Sequence, residues 1–172
     1  GNAVDFGDDS TGNSSGGASM NGLSSSTRGV WGGVIDSTNK IEYITIANTG
    51  NATDFGDLSV KRSSCATGAS STRGIWMAGV EGANKNQIDY VTIASTGNAT
   101  DFGDATVAGD QPGGASSSTR MVAGGGQSDS DSTEATIDYI TIASTGNATD
   151  FGDLVTGRNK VAAVTNTTRA VF

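Results

Sequence analysis

Seven side chains recur or cluster in a way that bears on chemistry: Arg28, Arg73, Arg120 and Arg169, each preceded by Thr, and Asp129, Asp131 and Glu134 within one short stretch. A guanidinium presents a planar fork of donors suited to carboxylates and sugar hydroxyls. Four of them on one surface would face a ligand; the same fork also serves a structural pair with an Asp of the same or next repeat. The acidic stretch resembles the opening of an EF-hand calcium loop, but it lacks the Gly at the sixth position and the distant terminal Glu that such loops need. A solvated loop is the simpler reading. Asp101 and Asp104 flank a turn and offer too few oxygens for calcium by themselves. Asp-Phe-Gly occurs four times and is the magnesium tripeptide of protein kinases, yet no His-Arg-Asp loop can exist in a chain with no His.

The absence of His removes Ser-His-Asp and Cys-His nucleophiles, HExxH zinc sites and imidazole acid-base catalysis. Cys65 is the one cysteine, so no disulfide forms within the chain, and its neighbours suggest a small buried filler. With 18 acidic and 10 basic side chains the net charge is −8, and the basic residues are scattered singly, which argues against nucleic acid. No apolar stretch approaches the roughly 20 residues of a membrane-spanning helix. Hydrophobic residues make up 34% and charged residues 16%, so the polarity comes from Ser, Thr, Asn and Gly. This composition points to a non-enzymatic structural or binding protein with no cofactor and no metal.

The elements that must hold these residues follow from an internal repeat. Asn-Ala-(Val/Thr)-Asp-Phe-Gly-Asp recurs with Phe6, Phe55, Phe102 and Phe151, at steps of 49, 47 and 49 residues. Thr-Arg recurs at the four arginines, and Ile-(Asp/Glu)-Tyr-(Ile/Val)-Thr-Ile-Ala recurs around Tyr43, Tyr90 and Tyr139. The markers keep one order throughout. Each unit reads as four short strands: a small-residue strand, an apolar strand entered at the Arg, a β-branched strand bearing the Tyr (88–94 in the second unit), and a short strand through Asp-Phe-Gly-Asp (99–104). The third strand is largely apolar on both faces, as in a sheet packed between two others. No sustained 3.6-residue period predicts a helix. The Asn-Ala-Thr triplets at Asn51, Asn98 and Asn147, with Asn13 and Asn166, fit the glycosylation pattern, but turn chemistry alone accounts for them.

A four-stranded unit of about 47 residues resembles the blades of kelch-type β-propellers. Gly32-Gly33 and Gly124-Gly125-Gly126 match that family's paired glycines, and Tyr43, Tyr90 and Tyr139 match its Tyr. Phe55, Phe102 and Phe151 stand where it has Trp, and Ala78-Gly79 departs from the glycine pair. The stretch 137–154 is similar, more specifically, to the tandem repeats of structural proteins of marine tailed phages, especially cyanophages. That resemblance implies a virion location, a tail fibre or other appendage, and host-surface binding, with host glycan or protein and other virion proteins as partners. It brings no catalytic residues. The alternative is a self-assembling extracellular or capsid-decorating protein that polymerises with further copies of itself through open blade edges. A carbohydrate-active propeller enzyme is disfavoured, since no unit has its own carboxylate pair set among aromatics and Trp31 and Trp76 read as core.

The predicted fold is therefore all-β, a kelch-like propeller or an open array of blades, in one repeat domain spanning 1–172. Its parts are an outer strand of a preceding blade (1–8), blades at 9–57, 58–104 and 105–153, and the first two strands of another (154–172). By this reckoning the chain is a segment of a longer repeat protein, or its open blade is completed by another copy. The units agree in strands three and four and differ in the loops 34–40, 80–87 and 127–136, as in repeat scaffolds that present variable binding loops.

Overall fold

The computed structural model describes residues 2–10, 21–33 and 39–172, and these contain strands and turns and no helix. Most of the variable loop 34–40 and the site at Asn13 lie outside the described residues. The first sheet is a meander of β1 (Asn21–Ser24), β2 (Arg28–Gly32), β3 (Lys40–Thr45) and β4 (Thr53–Asp57). The second comprises β5 (Ala66–Ala69), β6 (Arg73–Glu81), β7 (Ala83–Thr92) and β8 (Thr100–Asp104). The third comprises β9 (Gly113–Ser116), β10 (Arg120–Gly124), β11 (Thr136–Thr141) and β12 (Thr149–Asp153). A hairpin of β13 (Val164–Thr165) and β14 (Ala170–Val171) follows. All pairings are antiparallel.

The repeat fixes the register. Arg28, Arg73 and Arg120 stand opposite Thr45, Thr92 and Thr141 in their sheets. Each third strand meets its fourth with a bulge at the same place, which leaves Phe55, Phe102 and Phe151 as the extra residue. The bulge turns each Phe edge-on to the Tyr of the third strand, at centroid separations of 5.8, 5.9 and 6.0 Å.

Two apolar layers hold the sheets face to face. Leu23, Val30, Ile41 and Phe55 of the first unit pack against Trp76, Val91 and Ile93 of the second. Ile75, Met77, Ile88 and Phe102 of the second pack against Met121, Ile140 and Ile142 of the third. The second sheet is thus covered on both sides, as its third strand predicts. First strands of successive units, β1, β5, β9 and β13, are neighbours in that order.

Two expectations need correction. Residues 80–87, read as a loop, are instead the end of β6 and the start of β7, with Glu81 paired to Ala83 around Gly82 (φ +67°). Asn84 is drawn into this hairpin by the third unit: its amide bonds Asp129 Oδ1 (2.8 Å) and its Nδ2 bonds the Gln127 carbonyl (2.6 Å). Residues 2–9 are not assigned as a strand, although the Phe6 and Asp8 carbonyls still accept from the amides of Gly50 and Ala52, both at 2.8 Å.

Candidate functional site

The turns between the first and second strands of all four units converge. Residues 24–26, 69–71, 116–118 and 165–167 line one open cavity of about 430 Å³. The sequence Ser-Ser-Thr-Arg builds the first three turns locally, and Asn-Thr-Thr-Arg the fourth. The amides of Ser25, Ser70, Ser117 and Asn166 bond the carbonyls of the four arginines at 2.9 to 3.0 Å. The side chains of the same residues accept from the amides two and three positions on; for Asn166 Oδ1 both distances are 2.8 Å, and for Ser70 Oγ they are 3.2 and 3.0 Å. That uses the inner polar group of each turn and leaves Ser26, Ser71, Ser118 and Thr167 exposed at the rim. The lining is Ser, Thr, Asn and Ala, with no charged side chain. Such a ring can give and take hydrogen bonds with an uncharged polyhydroxyl ligand and has no group fit for acid-base work.

None of the four arginines lines this cavity. Arg28 and Arg73 lie over the rings of Tyr43 and Tyr90, 4.5 Å from each centroid, and their Nη1 atoms donate to the carbonyls of Ile93 (2.7 Å) and Ile142 (2.8 Å) in the following unit. They are junction residues, and the partner is a main-chain carbonyl and a ring where an Asp was expected. Arg120 takes the same pose over Tyr139 at 4.4 Å but is exposed. Arg169 is exposed in the hairpin turn. The structure does not bring the four guanidinium groups together.

Asp129, Asp131 and Glu134 lie in a loop stitched to its neighbours. Asp129 accepts from Asn84, Asp131 accepts from Gln127 Nε2 at 2.8 Å, and the Glu134 carbonyl accepts from the Arg158 amide at 3.1 Å. Among the described residues no group of three His, Cys, Asp or Glu could hold a metal ion. Burial pushes the carboxyl of nearby Asp110 up, and the charges of Asp129 and Asp131 add to this.

Sequence reasoning missed the acids of the third strands. Asp89 and Arg62 are fully buried and paired at 2.9 Å. Arg62 Nε also donates to the Ala78 carbonyl (2.9 Å), while Asp89 accepts from the Ser59 amide (3.0 Å) and hydroxyl (2.5 Å). Asp138 is held in the same way by the Thr106 amide (2.8 Å) and hydroxyl (2.6 Å), and Glu42 by the Ser10 hydroxyl and Lys40. The signal was present: each acid directly precedes the Tyr, and a Ser or Thr stands two residues beyond each of the first three Asp-Phe-Gly-Asp runs. Asn51, Asn98 and Asn147 were read only as turn formers. Their Oδ1 atoms accept from the amides of Asp8, Asp57 and Asp104, each at 3.1 Å, and so tie one unit to the next. Cys65 is buried beside Arg62, and burial pushes its thiol up to about 11 despite the guanidinium. Trp76 is wholly buried, in keeping with a core role, and Trp31 is half-buried.

No protein-family model matches the chain, and no curated protein does.

Proposed function

We propose that the protein is a non-enzymatic, β-propeller-like repeat module of a phage virion, a tail fibre or appendage, that binds the host cell surface through the ring of turns. The observation that carries this reading is the convergence of four equivalent turns on one uncharged, hydroxyl-rimmed cavity. A blade arrangement is supported by sheets stacked face to face with their first strands adjacent. It is supported too by a second cavity, of about 260 Å³, lined by the segments entering all four first strands, at Asn21, Cys65, Pro112 and Val161. Exposed hydroxyls around an open mouth suit saccharide recognition, in which short polar side chains match ligand hydroxyls. The virion assignment rests on the likeness of residues 137–154 to phage structural repeats.

The test is binding of the fluorescently labelled chain to cyanobacterial cells and to a glycan array. Binding should be saturable and should fall at least tenfold when Ser26, Ser71 and Ser118 are all changed to Glu, with an unchanged far-UV circular dichroism spectrum. Absence of binding to every cell and glycan, or binding indifferent to the triple change, would refute the reading.

A further inference from the structure

Successive units meet through one repeated set of bonds. At the first junction Arg28 Nη1 bonds the Ile93 carbonyl (2.7 Å), and the amides of Gly97 and Ala99 bond the carbonyls of Phe55 and Asp57 (both 2.7 Å). At the second, Arg73 bonds the Ile142 carbonyl (2.8 Å), and the amides of Gly146 and Ala148 bond the carbonyls of Phe102 (2.7 Å) and Asp104 (2.8 Å). Each junction therefore seats one segment, Thr-Ile-Ala-Ser-Thr-Gly-Asn-Ala (92–99, then 141–148), on the Arg and outer strand of the unit before it.

The third sheet presents the same receiving half with nothing seated on it among the described residues. Arg120 is posed over Tyr139 like its counterparts, but no described residue accepts a bond from its guanidinium. Phe151 is 59% exposed, against 2% for Phe55 and 3% for Phe102. A Cβ placed on Gly56 or Gly103 would meet the seated Gly97 or Gly146 carbonyl oxygen at 2.4 or 2.5 Å, whereas nothing lies within 4 Å of that point on Gly152. Between this face and β14 runs an open groove of about 590 Å³, lined by Arg120, Ile137 and Phe151 on one side and Ala170 and Phe172 on the other. Among the described residues β14 pairs only with β13, so its second edge is open for strand addition.

We propose that this groove is a strand-acceptor site: it takes one extended segment of the units' own third-strand-and-turn sequence, Ile-Asp-Tyr-Ile-Thr-Ile-Ala-Ser-Thr-Gly-Asn-Ala, supplied by a further copy of the repeat. The occupant is selected by continuity with the two internal junctions. Its Tyr-bearing strand pairs antiparallel with β14 and sets its Thr opposite Arg169, as Thr45 stands opposite Arg28. Its third Ile carbonyl, the counterpart of Ile142, takes the Arg120 guanidinium. Its Gly and Ala amides reach the carbonyls of Phe151 and Asp153, and its Asn accepts from the Asp153 amide. This goes beyond host binding: the groove adjoins the cavity of the turns, sharing Ser116, Ser117, Thr165, Asn166 and Thr167 with it, but Arg120, Ile137 and Phe151 line the groove alone.

The probe is a labelled synthetic peptide with the sequence of residues 137–148, titrated into the 172-residue chain and followed by fluorescence anisotropy. One peptide should bind per chain and raise the unfolding temperature. Gly152→Ala, which puts a Cβ in the seat, and Arg120→Ala should each weaken binding at least tenfold while keeping the parent's circular dichroism spectrum; if either variant misfolds, the other decides. No saturable binding, equal binding of a scrambled peptide, or indifference to the folded variants overturns the proposal. If the chain self-associates in sedimentation, dispersal by the peptide supports the same groove taking a second copy's strand, and association untouched by the peptide overturns it.

Discussion

Asp89 spends its charge on Arg62 and Ser59 in a place that water does not reach, whereas Asp138, in the same position one unit on, is held by Thr106 without an arginine. Removing one member of a buried ion pair strands the other. Asp89→Asn is therefore expected to cost ~3–5 kcal/mol in urea unfolding, and Asp138→Asn, which breaks only hydrogen bonds to a charged group, about 1.5–3 kcal/mol. Equal losses would contradict this account of the pair. Cys65 supplies a pH signature. Its thiol has an ordinary value of 9.0 and is pushed to about 11 in the fold, so between these values the unfolded chain releases a proton that the folded chain keeps. Stability from this group is complete below pH 9 and is lost as pH rises towards 11, by ~2–3 kcal/mol. Cys65→Ala should abolish that part of the slope, which unfolding titrations at pH 8 to 11 on both chains would reveal. In the folded chain at pH 8 the thiol should resist alkylation.

Each outer strand has a glycine at the same place, and on Gly56 and Gly103 the next unit's turn rests. Gly103 and Gly152 have similar positive φ, 144° and 137°, but only Gly103 has a carbonyl pressed against the place of its absent side chain. Ala at either site carries backbone strain of about 1–3 kcal/mol. At Gly103 it also forces the junction apart, so Gly103→Ala should lower the unfolding temperature clearly more than Gly152→Ala. The arginines make a parallel pair: Arg73→Ala loses a charge-assisted bond and a ring contact, together ~2–4 kcal/mol, and should destabilise more than Arg120→Ala, which loses the ring contact. Thermal melts of the four variants check both comparisons. These junctions were only half legible in the sequence. The order of Phe, Arg and Tyr markers gave away the strands, because alternation and β-branching act locally. The partner of each Arg did not show, since a sequence displays carboxylates and hides main-chain carbonyls. The hairpin at 80–87 was masked by Gly82, Asn84 and Asn86, residues that ordinarily make turns; it is extended because Asn84 bonds across to Gln127 and Asp129 of another unit. The cavity among the turns was invisible for the same reason, as its members come from positions about 47 residues apart.

Cohesion along the array is uneven. The second sheet has apolar partners on both faces and contributes Trp76, Ile75, Met77 and Ile88 as wholly buried side chains, while β13 and β14 are two-residue strands with Val164 and Val171 largely exposed. In repeat proteins stability is close to a sum of unit and neighbour contributions, so local opening follows the number of covered faces. Hydrogen exchange should then be slowest in β6 and β7 and fastest in β13 and β14; uniform protection would mean that the array unfolds only as a whole. The junctions themselves read alike at each step, made from main-chain groups, one Arg, one Asn and one Gly. A gene that gains or loses one complete unit therefore encodes a chain whose every remaining contact is already familiar. The near-identical stretches that specify those contacts are also where mispaired copying of the gene would start, so the array's length is open to inheritance in whole-unit steps while the fold of each unit stays fixed.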